Sequence, residues 1–196
     1  MGRHPPEHNS RSMKKQFLFF ALILSFGSSL FAAAPDKIFG RNRVIPENGT
    51  VAEDVIWVAG KEISFQPPLG WRESFSTNAV QASWISDDRS SRIIWTFKPN
   101  AATDRKKLLE SIPERFPGAR ILEEAVCYAA NEKGTKIDLE YMSSHRVKTM
   151  VRIAAVPCAG GMFEFELDAP VEVFPRLTLP YATLLSSLRV NAIPTR

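Results

Sequence analysis

Between residues 121 and 168 the chain alternates apolar and polar side chains with a period of two, and turn-forming clusters interrupt the alternation three times. A period of two puts successive side chains on opposite faces of a strand. The pattern therefore predicts four antiparallel strands folded as a meander. The sets Leu122/Val126/Tyr128, Ile137/Leu139/Tyr141, Val147/Val151/Ile153 and Phe163/Phe165/Leu167 are expected to face inward. Lys136, Asp138, Glu140, Lys148, Arg152, Glu164 and Glu166 fall on the other phase and are expected in solvent. The interruptions, Asn131–Gly134, Ser143–His145 and Pro157–Gly161, have the composition of turns. Connections this short rule out a parallel arrangement, which needs a crossover of about a dozen residues.

The upstream half continues the β pattern. Val55–Ala59 and Glu62–Phe65 flank Gly60-Lys61, a hairpin signal. Pro67-Pro68-Leu69-Gly70-Trp71 then stops the strand, because neither proline can donate to a ladder. Val80, Ala82 and Trp84 alternate with polar neighbours, and Asp87-Asp88-Arg89-Ser90 turns the chain into Ile93, Trp95 and Phe97. Two helices interrupt the strands. Thr103 is the expected cap of the first, with Leu108, Leu109, Ile112 and Phe116 on one face and Pro113 ending or kinking it. The second, from about Pro180 to Ser187, carries Tyr181, Leu184, Leu185 and Leu188 on one face, with Pro180 in its first turn. Strands in runs with segregated helices describe an α+β domain: an antiparallel β-sheet flanked by helices. A single domain is expected over 55–190, after a linker-like lead over 35–54 and before a short tail, 191–196.

Residues 1–34 read as an N-terminal extension and signal peptide. Lys14-Lys15, the apolar run from Phe17 to Leu24 and the exit Ala32-Ala33-Ala34 are its three parts. The run ending at Phe31 is short for a membrane span, which takes roughly 20 residues. Cleavage is expected between about Leu30 and Pro35, leaving a periplasmic or extracellular protein that touches the membrane only if the segment is retained. Of the net charge of +4, Arg3, Arg11, Lys14 and Lys15 against Glu7 supply all but one. The near-neutral remainder carries no basic surface of the kind that nucleic-acid binding requires.

No residue set stands out as catalytic, cofactor-binding or metal-ligating. His145 is the only histidine beyond the presequence and falls in a turn beside Ser143 and Ser144, so a triad has one candidate base and a histidine metal cluster has none. Cys158-Ala159-Gly160-Gly161 lies between strands, as a turn rather than a phosphate loop, and Asp87-Asp88 has no spaced acidic series to make a calcium site. A three-residue Ser143–His145 loop would place Glu140 opposite Lys148, a surface pair. The same register puts Cys127 opposite Asp138 and Asp138 opposite Met150, about 26 Å along the strands from Cys158 at roughly 3.3 Å per residue. Two unpaired thiols follow. Of four tryptophans, Trp84 and Trp95 lie on apolar alternations and are expected in the core; Trp71, after the proline turn, is the one expected near the surface.

The opening hairpin and its exit, Trp57-Val58-Ala59-Gly60-Lys61-Glu62-Ile63-Ser64-Phe65-Gln66-Pro67-Pro68-Leu69-Gly70-Trp71, are followed by the meander and by Leu184-Leu185-Ser186-Ser187-Leu188-Arg189-Val190. This order of elements, from Val55 to Val190, resembles the PsbP-like superfamily: the photosystem II extrinsic protein PsbP, DcrB-type periplasmic proteins and a Ran-GTPase-binding family. The resemblance implies a PsbP-like α/β/α sandwich and a binding or assembly role. The expected function is an exported, non-enzymatic binding or assembly module of the cell envelope, contacting another envelope protein. The alternatives are a carrier of a hydrophobic ligand and, third, a hydrolase using His145. An apolar cavity would favour the carrier, and a filled core with an exposed aromatic patch the binding module.

Overall fold

The computed structural model describes residues 37–45, 49–75, 82–101 and 104–193. In chain order the elements are β1 (Lys37–Ile45), β2 (Gly49–Val58), β3 (Lys61–Phe65), β4 (Arg72–Phe75), β5 (Ala82–Ile85), β6 (Arg92–Pro99), α1 (Arg105–Arg115), β7 (Arg120–Ala129), β8 (Glu132–Met142), β9 (Lys148–Cys158), β10 (Gly161–Pro170), α2 (Phe174–Ser187) and β11 (Arg189–Ala192). The meander runs β7 to β10 and extends into a seven-stranded sheet of order β4-β5-β6-β10-β9-β8-β7. A four-stranded sheet of order β1-β2-β3-β11 forms from the two ends of this set. All pairings are antiparallel.

The large sheet is buried on both faces, which the one-sided alternation did not anticipate. On one face Leu108 and Ile112 of α1, with Phe116 at its C-terminal cap, pack on Ile137, Leu139, Val151 and Ile153. On the other, Phe163, Phe165 and Leu167 join Trp84, Trp95, Tyr181 and Leu184 of α2, with Ile56 and Ile63 of the small sheet. The layer opposite α1 is thus a helix and a second sheet together, a correction to a sandwich closed by helices alone. Residues expected in solvent lie under these layers: Asp138, Arg152, Glu164 and Glu166 are all buried. They are tolerated because each has an ionic partner. Arg152 grips Asp138 with two bonds of 2.8 and 2.6 Å. Arg115, from the last turn of α1, reaches Glu164 at 2.7 Å and Glu166 at 2.5 Å, and Lys98 meets Glu164 at 2.7 Å.

The converse correction falls on β7. Leu122, Val126 and Tyr128, expected inward, are 41%, 50% and 69% exposed. β7 ends the sheet, and the apolar footprint of α1 stops short of it, on β8, β9 and β10.

Other boundaries shift for local reasons. The lead read as a linker holds β1 and the start of β2, paired from Lys37 opposite Trp57 to Ile45 opposite Gly49. Arg41 and Arg43 both pair with the buried Glu53, so their polarity serves the ladder. Asp104, not Thr103, caps α1: its carboxylate accepts from the Lys106 N–H at 2.9 Å. Thr103 lies outside the described residues, as do Val80 and the whole export segment. α1 continues past Pro113 to Arg115. α2 starts a turn and a half before its expected origin, so Pro175 opens it and Pro180 lies inside.

The loop after β8 spans Ser143–Val147, which sets Glu140 opposite Met150; the Glu140–Lys148 ion pair forms diagonally at 2.9 Å. Cys127 stands opposite Gly134, and Thr135 opposite Ala155, so the two cysteines are far closer along the strands than expected. They are still free thiols. Two strand spacings, about 9.6 Å, separate their strands, beyond the roughly 4.4–6.8 Å of a disulfide.

Candidate functional site

The proline turn builds a groove. Without N–H groups Pro67 and Pro68 end β3, and the chain is pinned on either side: the Gln66 N–H donates to Ser187 Oγ at 2.9 Å and the Trp71 N–H to the Pro68 carbonyl at 3.2 Å. Gly70 has φ +79°, a conformation that suits glycine and throws the turn outward. The result is a fully solvent-exposed Leu69 beside a half-buried Trp71 that leans on the core. They share the lining of a hollow of about 570 Å³ with Leu179 and Pro180 of α2 and with Val51 and Ala52 of β2. Leu179 is 75% exposed. Both leucines are held outward by rigid backbone, one by a proline turn and one by a helix.

The interior beside the groove is filled. Trp84 and Trp95 are buried as expected, and Phe65 packs edge-on against Trp84 and Phe165, with centroids 5.0 and 5.4 Å apart. Behind it the Trp84 indole donates to Asp54. Burial raises the Asp54 carboxyl, and burial with the nearby Asp54 charge raises Glu73. Paired carboxylates with raised protonation are an acid–base signature, but neither lines the groove.

The residues considered from sequence are dispersed. His145 is exposed in a loop whose bonds run through the Ser143 hydroxyl and backbone. Asp88 accepts from Ser86, from the Ser90 N–H and from its hydroxyl, which lower its carboxyl; Asp87 pairs with Arg72 at 3.0 Å. That is a turn. Among the described residues no three His, Cys, Asp or Glu side chains are grouped to hold a metal ion. Cys158 lines a second hollow of about 720 Å³ with Gly134, Asn100 and Lys133. Burial pushes its thiol up to about 11, so it carries little thiolate at neutral pH. Sequence reasoning singled out Trp71 but missed Leu179, because the helix that presents it was placed too late, starting at Pro180.

No family model matches the chain, and no curated protein matches it in sequence. Among solved structures it is similar in fold to LpqN, described as involved in cell envelope biogenesis of Mycobacterium tuberculosis: TM-score 0.52, 15% identity, covering 80% of this chain and 92% of LpqN. Cyanobacterial PsbP (CyanoP) from Synechocystis sp. PCC 6803 matches at TM-score 0.48 and 12% identity over 67% of this chain and 87% of CyanoP. A mutant of the protein Mog1 matches at 0.47 and 11%, over 68% and 92%. The PsbP-like resemblance holds at the level of fold through LpqN. No helix among the described residues is long and apolar enough to cross a membrane.

Proposed function

We propose that this chain is an exported, non-enzymatic binding or assembly module of the cell envelope, and that it contacts another protein through the groove between the 67–71 turn and α2. The observation that carries the reading is the pair Leu69 and Leu179, exposed in a groove whose lining they share with Trp71, which packs on the core. Tryptophan is among the residues enriched at binding hot spots, and exposed apolar side chains clustered around one mark an interaction surface. The likeness in fold to a protein described as involved in envelope biogenesis supports the location. A photo-crosslinking residue at Thr183, exposed in the lining of the same groove, should capture a discrete partner in cells. Leu69→Asp or Leu179→Asp should reduce capture by about tenfold while far-UV circular dichroism stays unchanged, and His145→Ala should alter neither. Capture undiminished from the parent in both Asp variants would refute the groove. A lipid-sized molecule retained on the purified protein in native mass spectrometry, and lost in Leu69→Asp, would move the same groove to the carrier reading.

A further inference from the structure

Two open sheets have four edges, and an unguarded edge is a template for another strand. Three of the four edges here are guarded. β4 and β11 are only four residues long. β1 is nine residues long but is bracketed in sequence by Pro35 and Pro46 and has Gly40 midway, which offers no side chain to a partner. β7 is different: ten residues, without lysine or proline, hydrogen-bonded to β8 on one side and to no described strand on the other. A bulge at Ile121/Glu123 disturbs its first turn of pairing and leaves Glu123–Ala129 regular.

Both carboxylates of this window are already neutralised within the chain. Arg105 of α1 holds Glu124 at 2.8 and 2.5 Å, and Lys136 holds Glu123 at 3.0 Å. The charges that would repel an approaching strand are therefore paired, while Val126 and Tyr128 stand 50% and 69% exposed, beyond the reach of both core clusters.

We propose that β7 pairs antiparallel with β7 of a second copy of this chain, with Val126 on the two-fold axis, joining two seven-stranded sheets into one. The committed occupant follows from self-complementarity. In that register Glu123 faces Ala129, Glu124 faces Tyr128, Ala125 faces Cys127 and Val126 faces itself. No like charges meet. Each Tyr128 covers the other copy's Glu124–Arg105 pair, bringing a guanidinium to an aromatic ring. Residues on a common face stay on a common face, because 124, 126 and 128 share one phase and 123, 125, 127 and 129 the other. A closed two-fold pairing of this kind removes both copies' open edges.

The test uses the chain as its host cell processes it. Sedimentation velocity should give a dimer in the micromolar range. Val126→Lys, at a half-exposed position where folding tolerates charge, should weaken it at least about tenfold by setting two cations against each other. Directly opposed Cα atoms lie about 4.5–5.5 Å apart, within disulfide reach. Val126→Cys in a Cys127→Ser/Cys158→Ser background should therefore oxidise to a covalent dimer. Val44→Cys, more exposed at 74% but on the guarded β1 edge, should not. A monomer at about 100 µM, a dimer indifferent to Val126→Lys, equal crosslinking from Val44→Cys, or crosslinking of Val126→Cys to a different protein would each overturn the proposal. Leu69→Asp should leave the dimer intact, so failure here is distinct from failure of the groove.

Discussion

Replacing Arg115 by leucine removes the cation that lets two carboxylates sit under α1. Arg115 donates to Glu164 and Glu166 at 2.7 and 2.5 Å, and the two carboxylate side chains are only 4% and 11% exposed. Breaking a buried pair from one side costs about 3–5 kcal/mol. Arg115 itself is 26% exposed and Glu164 keeps Lys98, so we expect about 2–4 kcal/mol, discounted for that solvent access. At about 2–4 °C per kcal/mol for a chain of this size, calorimetry resolves the loss easily.

The pH dependence identifies the cause. Burial raises Glu164, but Arg115 and Lys98 outweigh it and hold the carboxyl below its ordinary value. Its contribution is therefore present at neutral pH and lost on acidification. Burial raises Glu166, and Arg115 offsets only part of that, so Glu166 favours the folded state more as pH falls. Without Arg115 both groups move up, and the folded variant binds more protons than the folded parent. Its deficit should then be largest at neutral pH and close as pH falls toward the ordinary carboxylate range. Adding Glu166→Leu to Arg115→Leu should recover most of the stability by removing the stranded charge. A single-variant cost below about 1 kcal/mol, or a deficit that grows on acidification, would refute the reasoning.

Gly161→Ala should destabilise by about 1–3 kcal/mol, since a Cβ there would sit 2.3 Å from the Lys98 carbonyl and 2.9 Å from the Phe97 ring. Gly40→Ala meets nothing within 4 Å and should be near neutral in the same denaturant titration. The Cys158 thiol, pushed up to about 11 by burial, should alkylate slowly at pH 7, with a rate rising about tenfold per pH unit below its pKa. A rate already at its plateau at pH 8 would contradict the burial argument.

Local patterns, period two for strands, i/i+4 spacing for helices and turn residues for Gly60, were enough to place the meander, the Gly60 turn and the apolar faces of Leu108/Ile112/Phe116 and Tyr181/Leu184/Leu185, because each of these depends on neighbours in sequence. They could not reveal that Glu164 and Glu166 lie beneath a helix. A charged residue opposite an apolar phase looks the same whether water or Arg115 meets it. For the same reason β1 reads as a linker: Arg41 and Arg43 look like solvated charges until Glu53 is known to be between them. Tyr128 and Val126 fail in the other direction, since position at the sheet edge is a property of strand order and leaves no local mark. Of the groove, Trp71 and its proline turn were legible; the rest of its lining depended on where α2 begins, and Pro180 was a misleading start signal.

The bond from the Gln66 N–H to Ser187 Oγ joins residues 121 positions apart, and it stands beside the pairing of Ile63 with Val190. The small sheet therefore cannot assemble progressively as its first strands appear. β1, β2 and β3 can make a hairpin array, but its open side waits for β11, and closing so long a loop is entropically slow. Any chain entering a new compartment N-terminus first must hold β3 incomplete until almost all of the molecule has arrived. The C-terminal strand is a latch, and the kinetics of folding should be set by the moment it engages.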